Sequence, residues 1–124
     1  MIHLDTNFLV GALVPGTPQD LSLREWLRSG EVVAISVVGW AEFLCGPVSE
    51  RDLAFADQVV TERLPLLEED AAIGAQLFNA TGRRPRSLAD CLIAATALRF
   101  AVPLATSNVS DFRRFEKMGL RLAL

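Results

Sequence analysis

The chain has 124 residues, 51% hydrophobic and 22% charged, which is long enough to enclose one core and too apolar for a disordered segment. Its 15 acids and 12 bases leave a net charge of −3, an argument against a nucleic-acid binder held by overall positive charge. Its longest apolar stretches are broken by Asp, Arg or Pro well short of a bilayer span, so no membrane association is expected.

No basic segment precedes Asp5, so a secretory signal is not expected and a cytoplasmic location is the default. Cys45 and Cys91 show no metal-ligand spacing and read as ordinary thiols. A charge total is nevertheless blind to clustering. Acids gathered around a divalent cation would leave the remaining surface more positive than the count suggests.

In chain order, IHL (2–4) reads as a first strand and TPQDLSLREWLRSGE (17–31) as a helix ended near Gly30. VVAI (32–35) is a second strand, after which Ser36 can cap the helix VVGWAEFLCG. A helix over roughly 49–63 follows, then a short strand at LPLL (64–67) with its proline at the start. EEDAAIGAQLFNATG is a further helix, stopped by Gly82, and the basic link RRPR leads into SLADCLIAATALRFA, the most apolar helix. PLAT is a strand, SDFRRFEKMG a short helix and RLAL (121–124) an edge strand. Strands alternating with helices predict a mostly parallel sheet covered on both faces, within a single domain over 1–124. Ligands in such folds sit beyond the carboxyl ends of the strands, and Asp5 directly follows the first strand.

An unpaired carboxylate in an apolar run is costly unless donors or a cation meet it, which makes Asp5 the first candidate. Glu42 lies inside a helix with no base one turn away, as a surface glutamate or a ligand. Asp90 follows Ser87 by three, the spacing of a capping box, yet it also heads an apolar helix that should be buried. In LATSNVSDF, a strand leads into Thr106, Asn108 and Asp111. A cap by Ser110 or Asp111 is the plain reading there, and spacing leaves the choice between Asp111 and Asn108 as the principal group open. Singly, each acid reads more readily as structural. Together they fall at positions that can converge on one edge of a parallel sheet, where carboxylates repel unless a cation neutralises them. Oxygen donors without a His or Cys cluster favour Mg²⁺ or Mn²⁺ over zinc.

These residues carry a resemblance. LDTN at the start, AEF in the second expected helix, LADCLIAATAL in the apolar helix and TSNVSDF near the end resemble PIN-domain ribonucleases, and among them VapC-type toxins of toxin–antitoxin pairs. The resemblance spans the chain and implies a three-layer α/β/α sandwich around a central, mostly parallel sheet. It implies Mg²⁺- or Mn²⁺-dependent hydrolysis of RNA phosphodiesters, with Asp5, Glu42, Asp90 and Asp111 as catalytic metal ligands. Thr6, Asn7, Thr106 and Asn108 match supporting polar positions. A homodimer and an antitoxin that covers the site are implied as partners.

Arg83, Arg84 and Arg86 stand just before Asp90 and are candidate RNA contacts, as, less strongly, are Arg113 and Arg114; a solvated basic loop is the plain alternative. His3 reads as a strand histidine, and Trp26 and Trp40 as core or dimer-contact residues. A haloacid dehalogenase-type phosphotransferase would need a second Asp at position 7, where Asn stands, and a lysine near its acids, whereas Lys117 is the only lysine. A PIN-like module that binds RNA or protein without cutting is the other alternative.

Overall fold

The computed structural model describes residues 1–123. Four strands form one sheet in the order β3-β2-β1-β4, with β1 at Ile2–Leu4, β2 at Val33–Ser36, β3 at Glu62–Leu64 and β4 at Leu104–Ala105. All three pairings are parallel, with Leu4 opposite Ile35 on one side and Ala105 on the other. The expected α/β sandwich is therefore the observed fold.

Alternation along the strands builds a core on each face. Ile2, Leu4, Val33 and Ile35 pack with Phe8 and Leu9 of α1 (Thr6–Ala12), Leu23 of α2 (Pro18–Arg28), Phe43 of α3 (Val37–Cys45) and Ala56 of α4 (Glu50–Val59). A second cluster joins Leu104 to Leu77 of α5 (Glu68–Ala80), Ile93 and Ala94 of α6 (Leu88–Phe100), and Phe112 of α7 (Val109–Arg113). Burying each of these large side chains contributes about 1.5–3 kcal/mol. Trp26 stacks on Phe8 at 5.5 Å, and Trp40 lies 5.2 Å from Phe43 beneath the Arg63 guanidinium, so both indoles serve packing within the chain. No helix among the described residues is long and apolar enough to cross a membrane.

Several local expectations need correction. The segment after Asp5 is a helix, α1, which the sequence reading had not resolved from the apolar run. The third strand lies at Glu62–Leu64 rather than 64–67, because its place is set by pairing Glu62 with Ala34; Pro65, which has no N–H, then ends the ladder. Ser87 holds the N-cap position of α6 but makes no cap bond, since its hydroxyl donates to the Arg84 carbonyl at 2.7 Å. Neither Ser110 nor Asp111 caps α7, whose N-cap position is Asn108. The helix expected there is split, with a separate 3₁₀ turn at Glu116–Met118. Of the expected last strand, Leu122 forms only an isolated bridge to Leu104, and Leu124 lies outside the described residues. Ser36 does cap α3, accepting from the Gly39 N–H at 3.0 Å.

Candidate metal centre

Asp5 stands where β1 becomes α1, and its side chain is what starts that helix. One carboxylate oxygen accepts the Phe8 N–H at 2.7 Å, and the other accepts the Thr106 hydroxyl, which projects from the end of β4. Thr106 in turn accepts the Asn108 N–H at 2.9 Å, so two neighbouring parallel strands meet through one carboxylate. Burial raises the Asp5 carboxyl above its ordinary range; the Thr106 and Phe8 bonds oppose that rise, and Glu42 adds to it.

Glu42 reaches the same place from α3. The Thr6 hydroxyl lies 2.8 Å from Glu42 Oε1 and 3.1 Å from the Gly39 carbonyl, which ties α1 to α3. His3 braces the corner from below: its Nε2 accepts the N–H of Ser36, the α3 cap, at 2.9 Å. The imidazole is buried, which pushes its pKa down to about 4. Sequence reasoning set His3 aside as structural, and the structure gives it that use.

Asp90 completes the group from the first turn of α6, half-buried and without a cap bond. Its carboxyl is raised to about 6, first by burial and then by the charges of Glu42, Asp5 and Asp111, against the opposing pull of Arg114. Asp5, Thr6, Asn7, Glu42, Asp90 and Ile93 line a polar cavity of about 70 Å³. On its other side Asp90 shares a cavity of about 120 Å³ with Asp111, Arg84, Arg86 and Arg114. Asn108 lines neither cavity and enters through its backbone. Arg83 is drawn away, its guanidinium bonded to Asn79 and 5.4 Å from the Phe78 ring.

Among the described residues, no ion pair engages Asp5, Glu42, Asp90 or Asp111. Nor do three acidic, His or Cys side chains stand close enough to enclose a bare ion. The arrangement suits a hydrated one, because Mg²⁺ retains several waters and takes only one or two carboxylates directly. Each Asp5 oxygen still has a second lone pair beyond its hydrogen bond. The donors are all oxygens, which fits Mg²⁺ or Mn²⁺ by chemistry.

The sequence profile of the PIN domain matches residues 2–118. The chain belongs to the PIN-domain family. No curated protein matches it by sequence. Solved structures do resemble this PIN domain. FitAcB from Neisseria gonorrhoeae shares 26% identity at a TM-score of 0.72, over 100% of this chain and 97% of that one. VapBC2 from Rickettsia felis, bound to a DNA fragment from their promoter, gives 21% identity and a TM-score of 0.76, over 99% and 98%. A toxin–antitoxin complex from Klebsiella pneumoniae gives 22% and 0.71, over 90% of each chain.

Arg114 follows Asp111 by three, the spacing that puts two side chains on one helical face, and the two line the same cavity. A larger cavity of about 350 Å³ lies away from the acids, between Leu13, Asp20, Arg24 and Phe55. An apolar groove of about 220 Å³, lined by Val10, Val14, Phe43 and Val48, runs up to Glu42.

Proposed function

We propose that this chain is a Mg²⁺- or Mn²⁺-dependent endoribonuclease and the toxin of a toxin–antitoxin pair, with residues 1–124 working as one PIN domain. The observation that carries this reading is that Asp5, Glu42 and Asp90 line one polar cavity and Asp90 and Asp111 line the next, with no ion pair to any of them among the described residues. Unpaired carboxylates gathered in this way repel one another, and a bound cation relieves the repulsion.

Asp5, Glu42, Asp90 and Asp111 would hold the ion. When bound, a divalent cation supplies Lewis acidity and charge neutralisation at a phosphodiester. The chain supplies the rest. Thr106 and the Phe8 N–H fix the Asp5 carboxylate, and Thr6 fixes Glu42. Asn7 offers its amide at the same cavity, while Asn108 holds Thr106 in register. Asp90 or Asp111 orients the attacking water, and of the late residues Asp111 rather than Asn108 faces the site. Arg84 and Arg86 contact phosphates of the strand; Arg83, occupied by Asn79, drops out of that role.

Likeness to a toxin–antitoxin complex and to VapBC2 supports an antitoxin partner, and the apolar groove ending at Glu42 offers it a seat beside the acids. A homodimer and a cytoplasmic site of action belong to the same reading.

The test is cleavage of labelled single-stranded RNA by antitoxin-free protein with Mg²⁺, with Mn²⁺, with EDTA, and with Asp90→Asn. Cutting should need the ion and fall by about 100-fold or more in the variant. Cutting that survives both EDTA and Asp90→Asn would place the activity elsewhere. No cutting of several unrelated RNAs would favour a binding module without catalysis.

A further inference from the structure

The loop ahead of α6 holds two non-glycine residues at positive φ: Arg83 at 52°, whose guanidinium is bonded to Asn79, and Arg86 at 64°. Arg84, Pro85, Arg86 and Ser87 form a turn closed by the Ser87 N–H on the Arg84 carbonyl at 3.3 Å, and the Ser87 hydroxyl donates to the same oxygen at 2.7 Å. Proline at the second position with φ +64° at the third is the pattern of a type II turn, whose third position favours glycine or asparagine. Here it carries arginine, in a conformation that L residues rarely adopt. Nothing local explains the choice: among the described residues the Arg86 guanidinium has no hydrogen bond, ion pair or aromatic ring. Backbone strain of this kind clusters where a side chain is needed in one place.

That place is the cavity beside Asp90. Arg84, Arg86 and Arg114 line it with Asp90 and Asp111. Arg114 lies over the Phe115 ring at 4.7 Å, and its Nε is buried without a partner. Among the described residues none of the three guanidiniums forms an ion pair with either acid; Arg114 acts on Asp90 only as a nearby charge, which leaves all three forks open. Three positive groups against two negative ones leave the cavity receptive to an anion once the acids are compensated.

We propose that the turn at Arg84–Ser87 and Arg114 form a subsite for a phosphate of the substrate strand that neighbours the scissile one, with Arg86 as its exposed clamp and Arg114 as its half-buried wall. This rests on the nuclease reading above and assigns how that site positions its substrate. Guanidinium is the suited group, since its planar fork meets two phosphate oxygens at once. Arg86 and Arg114 are thus positioning residues, felt in substrate binding more than in turnover.

The experiment uses Arg86→Gly, which relieves the turn while deleting the clamp, beside Arg114→Gln and, as control, Arg83→Ala. Binding is read by anisotropy of a short labelled single-stranded RNA with Ca²⁺ in place of Mg²⁺, across a salt series. Arg86→Gly should melt no lower than the parent yet bind about tenfold more weakly, with a salt slope shallower by about one. With Mg²⁺, KM should rise while kcat holds. Arg114→Gln should weaken binding likewise, and Arg83→Ala should leave it within about twofold. Unchanged binding and salt slope in Arg86→Gly overturn the subsite, and so does a parent protein that binds no RNA. If the parent cleaves and both cavity variants match it, the subsite falls and the nuclease reading stands. If the parent binds through Arg86 but never cleaves, the nuclease reading falls and takes with it a subsite defined by a scissile phosphate, leaving a phosphate contact of a binding module.

Discussion

Asp5 is 3% exposed and holds two donors, yet its carboxyl remains raised, because burial outweighs the hydrogen bonds. Thr106 is therefore more than a bystander, since it is one of the two groups holding that charge down. Thr106→Val removes the donor to Asp5 and the acceptor of the Asn108 N–H. Mn²⁺ affinity by calorimetry should fall about tenfold or more, with about 1–2 kcal/mol lost in urea unfolding. An unchanged affinity would remove Thr106 from the site. Asp90 is the opposite case, a charge the fold tolerates poorly without a counter-ion. Its pKa of about 6, against an ordinary 3.8, means the folded state loses stability as pH rises through that window. Asp90→Asn should raise the metal-free melting temperature by roughly a few degrees near pH 8. The gain should vanish near pH 3.5, where the native carboxyl is also protonated. Glu42, Asp90 and Asp111 were legible as candidates in the sequence, but what Thr106 and Arg114 touch was not, because those contacts cross between elements far apart in the chain.

Among the elements, α5 and α6 are joined by a buried pair that periodicity cannot reveal. Asp70 is fully buried at the start of α5; it accepts the Leu67 N–H at 2.9 Å and two bonds from Arg99, at 2.7 and 3.0 Å. Burial alone would raise the Asp70 carboxyl, but the Arg99 and Leu67 bonds outweigh it and hold it below its ordinary range. Arg99 also donates to the Pro65 carbonyl at 2.8 Å, anchoring the exit of β3. Arg99→Leu leaves a buried charge unpaired and should cost about 3–5 kcal/mol, roughly 10 °C or more in melting temperature. Adding Asp70→Leu should restore most of that loss, since an apolar pair of similar size removes the stranded charge. If the double variant melts as low as the single one, the loss comes from the Pro65 and Leu67 contacts instead. The longer helices were readable because their apolar spacing is local, although α4 ends at Val59, short of the expected 63, where β3 takes over. The seven residues of α1 are too few to display a period, and its cap is the same Asp5 that first read only as an anomaly. β3 was misplaced because an edge strand is defined by its neighbour's register rather than by its own hydrophobicity.

For the whole molecule, two perturbed groups, His3 and Asp90, pull stability in opposite directions. His3 has a native pKa of about 4 against an ordinary 6.5, so its contribution is complete above the higher value and lost as pH falls toward the lower. Asp90 acts in reverse, its contribution being complete below 3.8 and lost as pH rises through about 6. Melting temperature against pH should therefore have two separable limbs. His3→Gln, whose amide oxygen can still accept the Ser36 N–H, should flatten the acid limb; Asp90→Asn or saturating Mg²⁺ should flatten the alkaline one. A Mg²⁺ effect equal at pH 5 and pH 8 would sever the link between ion binding and the carboxylates.

The sequence by itself determined the class of this molecule: an α/β sandwich, because strand and helix patterns alternate locally, and a PIN domain, because LDTN, the helical Glu42, the apolar helix headed by Asp90 and the TSNVSDF segment stand in order. It also singled out the four carboxylates: Asp5 as a charge in an apolar run, Glu42 as a helical acid with no base one turn away, and Asp90 and Asp111 near the starts of late helices. Only the tertiary structure decided which groups face them. Parallel pairing of β4 with β1 brought Thr106 onto Asp5, and docking of α3 beside α1 brought Thr6 onto Glu42. The turn before α6 sent Arg83 away and kept Arg86 at the cavity. Such contacts depend on strand register and on the rotation of one element against another, and those are fixed by packing across the whole core rather than by any single segment.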